Sequence, residues 1–510
     1  MLALRPPISP ETRDTSLGAF GGASWDLLVV GAGITGLAVA RGAALRGLRV
    51  AVVEANDLAF GTSSRSSRLI HGGLRYLKSF DFGLVREGVV ERRRLLRTAP
   101  GLVRAERFIY LVYCEDPDAL WQIRLGVGLY DLLSAGHRLG GSSRYNTSQL
   151  AELLPGIETS CLDGAVGYRD GATHDARLTT AIACAAIEAG APIATRCQRL
   201  RADVPPPIRT AWGSHVSFPA ERLPLDAFLA LRSPDDGRQT FALPFGDYTV
   251  LGTTDEDDAT PPARVRPQVA DTDYLLTVAN HAFPGARLTR RDVVGAWAGL
   301  RPLVAEIYGA STGALSRRHH VVRAGPGRWV LAGGKLTTHR RMAEDLLDEL
   351  LRHERFPGRD LEPCVTRRKP LFEGDTRAGR ELLRRLKAPD AVIERLIGLY
   401  GGRLEQLTLR LMEAPPVELT ERIVLAEARL AVEAELALSL DDVLLRRLYP
   451  GPLDLVRCWE LSRTVAKEVA EALGWNRSQM EEQIGDFRRG VEDELRSARG
   501  DIPITSAAAS

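Results

Sequence analysis

The chain has 510 residues, 45% of them apolar, and its 67 basic and 65 acidic side chains leave a net charge of +2. A chain this long has room for roughly two to four domains and a large core. The balanced charge gives no field that would select nucleic acid, and no run reaches the roughly eighteen apolar residues of a membrane span.

Residues 1–24 carry Pro6-Pro7, Pro10 and Gly21-Gly22 without an apolar stretch of signal-peptide length, and read as a disordered extension. Leu27 to Val30 then reads as a buried parallel strand running into Gly31-Ala32-Gly33-Ile34-Thr35-Gly36. A helix from Leu37 to Leu45 and a second strand ending at Glu54 complete a βαβ unit. In such a unit Gly31 makes the turn, Gly33 admits a pyrophosphate to the backbone, and Gly36 lets helix and sheet pack closely. Phosphates sit on the helix N-terminus. A carboxylate at Glu54 accepts from a ribose, which favours FAD or NAD over NADP.

The loop Thr62 to Arg68 holds four serines, two arginines and a threonine, suited to anion or flavin contacts, and His71-Gly72-Gly73 follows where a flat ring can approach backbone. Helical spacing runs from Phe82 to Leu96, and again from Ala176 to Ala189 before Gly190, with a short strand near Ile193 to Arg196. Beyond Pro205-Pro206-Pro207, Phe241 to Phe245 and Tyr248 to Thr254 alternate as antiparallel strands, and Asp271 to Phe283 reads as helix. His319 to Val322 and Trp329 to Ala332 flank Gly325-Pro326-Gly327 as a hairpin, leading into Gly333-Gly334-Lys335-Leu336-Thr337-Thr338 and a helix to about Leu351. From about Asp375 the chain turns to Leu, Ala, Glu and Arg at helical spacing, with Leu419 to Leu438 and Leu453 to Leu473 wide enough in their apolar faces to pack together. Cys114, Cys161, Cys184, Cys197, Cys364 and Cys458 form no CxxC and no Cys/His metal spacing. Six isolated thiols in a reducing cytoplasm are expected, with no metal site.

Thr62 to Leu77, with Leu84-Val85-Arg86-Glu87, resembles the FAD-dependent glycerol-3-phosphate dehydrogenases of the aerobic, quinone-linked type. The resemblance recurs at Asp175 to Leu178, Gly252 to Asp255, Ala296 to Leu303, Gly333 to Thr338 with Arg340, and Leu436 to Arg447. It implies FAD rather than NAD, and oxidation of sn-glycerol 3-phosphate to dihydroxyacetone phosphate by hydride transfer to the flavin, with electrons passing to a quinone or another acceptor. The implied fold is α/β, a Rossmann-like FAD-binding fold with an interleaved antiparallel substrate sheet, plus a C-terminal all-α domain. Flavin segments fall at about 25–80, 160–205 and 319–355, substrate segments at about 81–159 and 206–318, the helical domain at 365–498 and a loose tail at 499–510. The implied setting is cytoplasmic, peripheral on the inner face of the plasma membrane, with a homodimer as a further association.

Arg301, Arg317 and Arg68 fall at family positions near the substrate, where guanidinium groups engage a phosphate bidentately. Arg301 interrupts an apolar run, where an unpaired charge is costly. Loss of the C2 hydride also requires a base for the hydroxyl proton; His215 is the preferred candidate and His71 its competitor. The expected cofactor contacts are Gly31, Ala32, Gly33, Thr35, Gly36, Glu54, Thr62, Ser63, Ser64, Ser67, Arg68, Leu69, His71, Gly72, Gly73, Gly334, Lys335, Leu336 and Thr337.

The chain also departs from the family. Relatives place several tens of residues, including a last parallel strand, between the strand near Ile193 and the segment at Ile208 to Val216; here only Arg199 to Arg209 intervenes, with three prolines that cannot form a central strand. The flavin sheet is therefore expected to lack a strand and expose an edge. Tyr168-Arg169, His174, Asp258 and His339 also replace usual family residues. A non-catalytic or weakly FAD-binding protein, and a glycerol-3-phosphate oxidase using O₂, are the alternative readings.

Overall fold

The computed structural model describes residues 18, 24–77, 80–134, 136, 139–197, 208–257, 265–304, 318–374 and 376–504. Arg317, Asp258 and most of the proline segment lie outside them.

β1 (Leu27–Val30), α1 (Ile34–Ala44) and β2 (Val50–Val53) form the expected βαβ unit, with β1 and β2 parallel and in register from Leu27 opposite Val50 to Val30 opposite Val53. Then follow β3 (Leu69–Ile70), α2 (Phe82–Thr98), β4 (Val103–Tyr113), α3 (Leu120–Leu133), β5 (Ser143–Tyr145), α4 (Thr147–Leu153), β6 (Leu162–Thr173), α5 (Asp175–Glu188) and β7 (Ile193–Ala194). β7 closes a three-stranded parallel sheet of order β1-β2-β7. One face of this sheet buries Leu37 and Val39 of α1 with Leu178 and Ile182 of α5 and Leu346 and Leu347 of a later helix. Among the described residues β1 pairs with β2 alone, and its Leu28 and Val30 are 46% and 53% exposed. Leu28 and Val30 point to one face of the strand, and apolar residues of a parallel strand are ordinarily covered on both faces, so that face of β1 is left open by the described residues.

β8 (Ile208–Pro219), β9 (Phe228–Arg232), β10 (Gln239–Phe245), β11 (Tyr248–Gly252), β12 (Glu256–Asp257), α6 (Val269–Ala282) and β13 (Gly295–Val304) build the second layer. Its ten-stranded sheet runs β12-β8-β11-β10-β9-β4-β6-β3, with β13 on β8 and β5 on β6. β3 and β6 thus belong to the large sheet, so the segments 25–80 and 160–205 each feed both sheets rather than the flavin sheet alone. Long antiparallel pairing of β8 with β13 sets Trp297 opposite His215 and Arg301 opposite Ala211, and β11 sets Gly252 opposite His215 from the other side.

The hairpin of β14 (His319–Gly325) and β15 (Arg328–Gly333) leads through a 3₁₀ turn, Leu336–Thr338, into α7 (His339–His353). The C-terminal domain then comprises α8 (Arg377–Arg385), α9 (Asp390–Tyr400), α10 (Leu404–Glu413), α11 (Leu419–Ala434), a π-helical turn Asp442–Arg447, α12 (Leu455–Leu473) and α13 (Arg477–Arg499). α11 and α12 pack through Val424, Ala428 and Val432 against Val465, Ala466 and Val469.

The expectation of six lone thiols is corrected at two positions. Cys114 and Cys161 form a disulfide, because the end of β4 and the start of β6 are neighbours and Cys114 N donates to Cys161 O at 2.7 Å. Pairing across antiparallel strands 47 residues apart in sequence leaves no spacing motif to read.

Candidate active site

Between the two sheets lies a cavity of about 900 Å³. The N-terminus of α1 contributes Ile34 and Thr35, the serine-rich loop contributes Thr62, Ser63, Arg65, Ser66 and Ser67, and Leu69, His71 and Gly73 continue the wall. The turn before α7 supplies Gly333, Gly334, Lys335, Leu336 and Thr337, and the large sheet supplies Gly213, His215, Thr253 and Arg301.

The glycines do what their positions require. Gly31 has φ +108°, and a Cβ on Gly36 would lie 2.1 Å from Gly31 O, so neither accepts a side chain without moving the turn. Gly33, the N-cap of α1, has no side chain to close the helix start; Ser63 Oγ, from the loop, accepts from Ile34 N at 3.0 Å. Glu54 Oε2 accepts from Ala32 N at 2.7 Å, and Oε1 from Asn56 N at 2.9 Å. A helix start of positive polarity with an acid at the end of β2 fits a dinucleotide, and the Lys335 turn adds a cation and hydroxyls further along the cavity. Thr337 Oγ1 sits 3.1 Å from both the N and O of His71, tying the two flavin-side segments together.

On the substrate side, His215 stacks on Trp297, with ring centroids 5.1 Å apart and planes 7° from parallel. Its Nε2 shares a 2.8 Å hydrogen bond with Ser67 Oγ, and its Nδ1 has no hydrogen-bond partner among the described residues. Burial, then the Arg301 and Arg68 charges, push its pKa down from 6.5 to about 3, well below the near-neutral value expected of a base. Arg301 is held at Nη1 by Asp255 (2.6 Å) and Trp212 O (3.1 Å), and at Nη2 by Thr253 Oγ1 (2.9 Å) and Thr254 O (2.8 Å). Its charge is thus paired, which is how the apolar run tolerates it.

Not every expected contact reaches the cavity. Arg68 is corrected: its φ of +60° turns it into the core, where Nη1 meets His174 Nδ1 at 3.3 Å and the guanidinium lies over Trp297, with Nε 3.9 Å from Asp175. Neighbouring Ser67 faces the cavity instead. Gly72 is likewise buried behind it, its N donating to Tyr130 Oη at 3.0 Å and Asp170 Oδ1 at 3.3 Å, and Ser64 folds back on Gly61 O. Burial outweighs the Arg92 ion pair and raises the Asp170 pKa. Arg317 lies outside the described residues.

Residues that sequence reasoning missed also line the cavity. Arg65, within the serine loop, donates to Ala298 O and Val265 O at 3.3 and 3.5 Å, and burial lowers its pKa. Tyr76 carries Lys335 Nζ 4.6 Å above its ring centre. At the mouth, Phe80, Trp121 and Leu125 are 76%, 63% and 66% exposed. The signal in the sequence is Trp121 and Leu125 at helical spacing.

Residues 26–203 and 197–346 match the FAD dependent oxidoreductase family, and residues 364–480 match the C-terminal domain of alpha-glycerophosphate oxidase. A glycerol-3-phosphate dehydrogenase of Mycobacterium leprae is 32% identical, covering 96% of this chain and 92% of its own. One from Synechocystis is 30% identical, covering 95% and 98%. Among solved structures, the glycerol-3-phosphate dehydrogenase of Bacillus halodurans complexed with FAD superposes with TM-score 0.75 at 25% identity, over 98% of this chain and all of its own.

Proposed function

The chain belongs to the FAD-dependent glycerol-3-phosphate dehydrogenases, and from that premise we propose how its residues divide the work and where the electrons go. It is a flavoprotein oxidoreductase that converts sn-glycerol 3-phosphate to dihydroxyacetone phosphate. Bound FAD supplies the acceptor for the hydride leaving C2 of the substrate. Ile34, Thr35, Thr62 and Ser63 would hold the cofactor at the N-terminus of α1, with Glu54 at the end of β2 as the acceptor for a ribose, and His71, Gly73, Lys335, Leu336 and Thr337 would hold its flavin end.

The observation that carries this division is the meeting of His215 and Arg301 on one cavity wall facing the Lys335 turn. Arg301, Arg65 and Lys335 are cations on the cavity wall that a phosphate dianion would meet, Arg301 through a guanidinium held in place by Asp255 and Thr253. His215 is neutral at physiological pH and takes the hydroxyl proton. A dianionic phosphate beside Arg301 cancels part of the charge that depresses its pKa, so substrate binding raises the basicity of the group that must act on it. Trp297 behind the imidazole keeps water from that side.

The test is an anaerobic absorbance spectrum of the purified protein. Flavin bands that bleach on adding glycerol 3-phosphate support the assignment; a colourless protein that takes up no FAD on titration refutes it.

For the acceptor we propose a quinone, reached at the cavity mouth through Phe80, Trp121 and Leu125. These apolar side chains, with Leu132 on the same α3, suit an apolar ring or a bilayer surface more than water. No helix among the described residues is long and apolar enough to cross a membrane, so contact would be peripheral, on the inner face of the plasma membrane. A homodimer covering the same strip is the competing arrangement, with a concentration-dependent mass as its signature. Peroxide formed in step with substrate loss, without added quinone, would instead assign O₂ as acceptor.

A further inference from the structure

We infer that the C-terminal domain is a clamp on the adenosine end of the cofactor site, with Asp57 as the positioning residue through which it acts. This rests on the Gly31–Glu54 unit being the adenosine site.

The segment 54–63 frames that site from one side and touches the glycine turn repeatedly. Glu54 accepts from Ala32 N, Ala59 N donates to Ala32 O at 3.1 Å, and Ser63 Oγ accepts from Ile34 N. Loops of this kind are mobile unless anchored. The anchor lies almost 390 residues away in sequence. Asp57, 1% exposed, accepts from Arg446 Nε at 2.6 Å and from Arg447 Nη1 and Nη2 at 2.9 and 2.7 Å. The Arg446 guanidinium also lies over the Phe60 ring, 5.6 Å from its centre.

Both arginines stand on the π-helical turn Asp442–Arg447, and both reach the one carboxylate. The turn is itself braced. Asp442 accepts from Arg446 Nη2 at 2.6 Å and from Arg196 Nη2 at 2.7 and 2.8 Å, and Arg196 N donates to Asn56 O at 2.9 Å. A circuit therefore runs from Glu54 through Asn56, Arg196, Asp442 and Arg446 to Asp57, and Ala59 on the same segment returns it to the turn at Ala32. Replacing a hydrophobic contact with this many aligned charges gains little in stability, but it fixes the position of the segment in a way apolar packing does not. Among the described residues β1 has a partner on one side alone, and the clamp supplies rigidity from the opposite edge of the small sheet.

The test uses the full-length apoprotein with FAD and, separately, ADP as probes. Asp57→Asn should weaken both by the same factor, about tenfold or more, while the KM for glycerol 3-phosphate at saturating FAD stays unchanged. Leu383→Ala, a core truncation in the same domain but in a different hydrophobic cluster from the clamp turn, should lower the melting temperature with ADP affinity unchanged. If Asp57→Asn does not fold, Arg196→Ala at the partly exposed end of the circuit should give a smaller loss for both probes. Unaltered ADP affinity in Asp57→Asn or Arg196→Ala overturns the clamp, as does an equal loss in Leu383→Ala. Wild-type protein that binds neither probe fails the cofactor assignment instead.

Discussion

His215 and Ser67, 148 residues apart in sequence, share a 2.8 Å hydrogen bond at the point where the serine loop meets the β8–β13 pair. The bond fixes one imidazole nitrogen while Trp297 fixes the plane, so the ring has little freedom to turn away from the cavity. His215→Asn should lower kcat by about 10²- to 10⁴-fold, the usual worth of a positioned base, with a smaller change in KM. Ser67→Ala should give a partial loss of kcat. Steady-state kinetics with a dye acceptor check both; an unchanged kcat in His215→Asn would pass the role to His71.

Arg301 is predicted to hold the phosphate. Arg301→Ala should raise KM by about tenfold to a hundredfold, since a charge-assisted hydrogen bond contributes ~1.5–3 kcal/mol. Arg301→Lys should recover little, because an ammonium cannot reproduce the fork set by Thr253 and Asp255. An unchanged KM in Arg301→Ala would remove the role.

The cavity mouth sets the acceptor prediction. Trp121→Asp with Leu125→Asp should abolish turnover with quinone and binding to phospholipid vesicles, while leaving activity with a water-soluble dye intact. Loss of both activities together would place the damage in the site itself.

Acid should unfold the protein through its buried histidines. Burial lowers the His215 pKa to about 3 and the His339 pKa to about 4, from 6.5. Below 6.5 the unfolded chain takes up protons that the folded chain refuses, so stability present above 6.5 is lost as pH falls toward 4 and then 3, at up to about 1.4 kcal/mol per pH unit for each group. His339→Asn should flatten the pH dependence of the denaturation midpoint between 6.5 and 4. A slope as steep as wild type would show that other groups carry it.

The turn itself can be tested at Gly36. A methyl there would overlap Gly31 O, so Gly36→Ala should prevent FAD uptake by the apoprotein, measured by flavin fluorescence quenching.

Much of this molecule was legible as local pattern. The β1-turn-α1-β2 unit, the Gly325–Gly327 hairpin and the Gly333–Thr338 turn each rest on residues within a few positions of one another, where glycine conformation and side-chain periodicity decide the backbone. Arg68 and Ser67 mark the boundary. Both belong to one polar loop, yet a single positive φ sends the arginine into the core and leaves the serine to His215, and no neighbouring residue announces it. Cys114 with Cys161, and Asp57 with Arg446 and Arg447, are of the same kind. Sequence alone determined the elements and the family, because those depend on short-range sterics and recognisable motifs. Tertiary structure decided which charges pair and which side chains face the cavity, because such contacts form only when strands and helices far apart in the chain settle into one register.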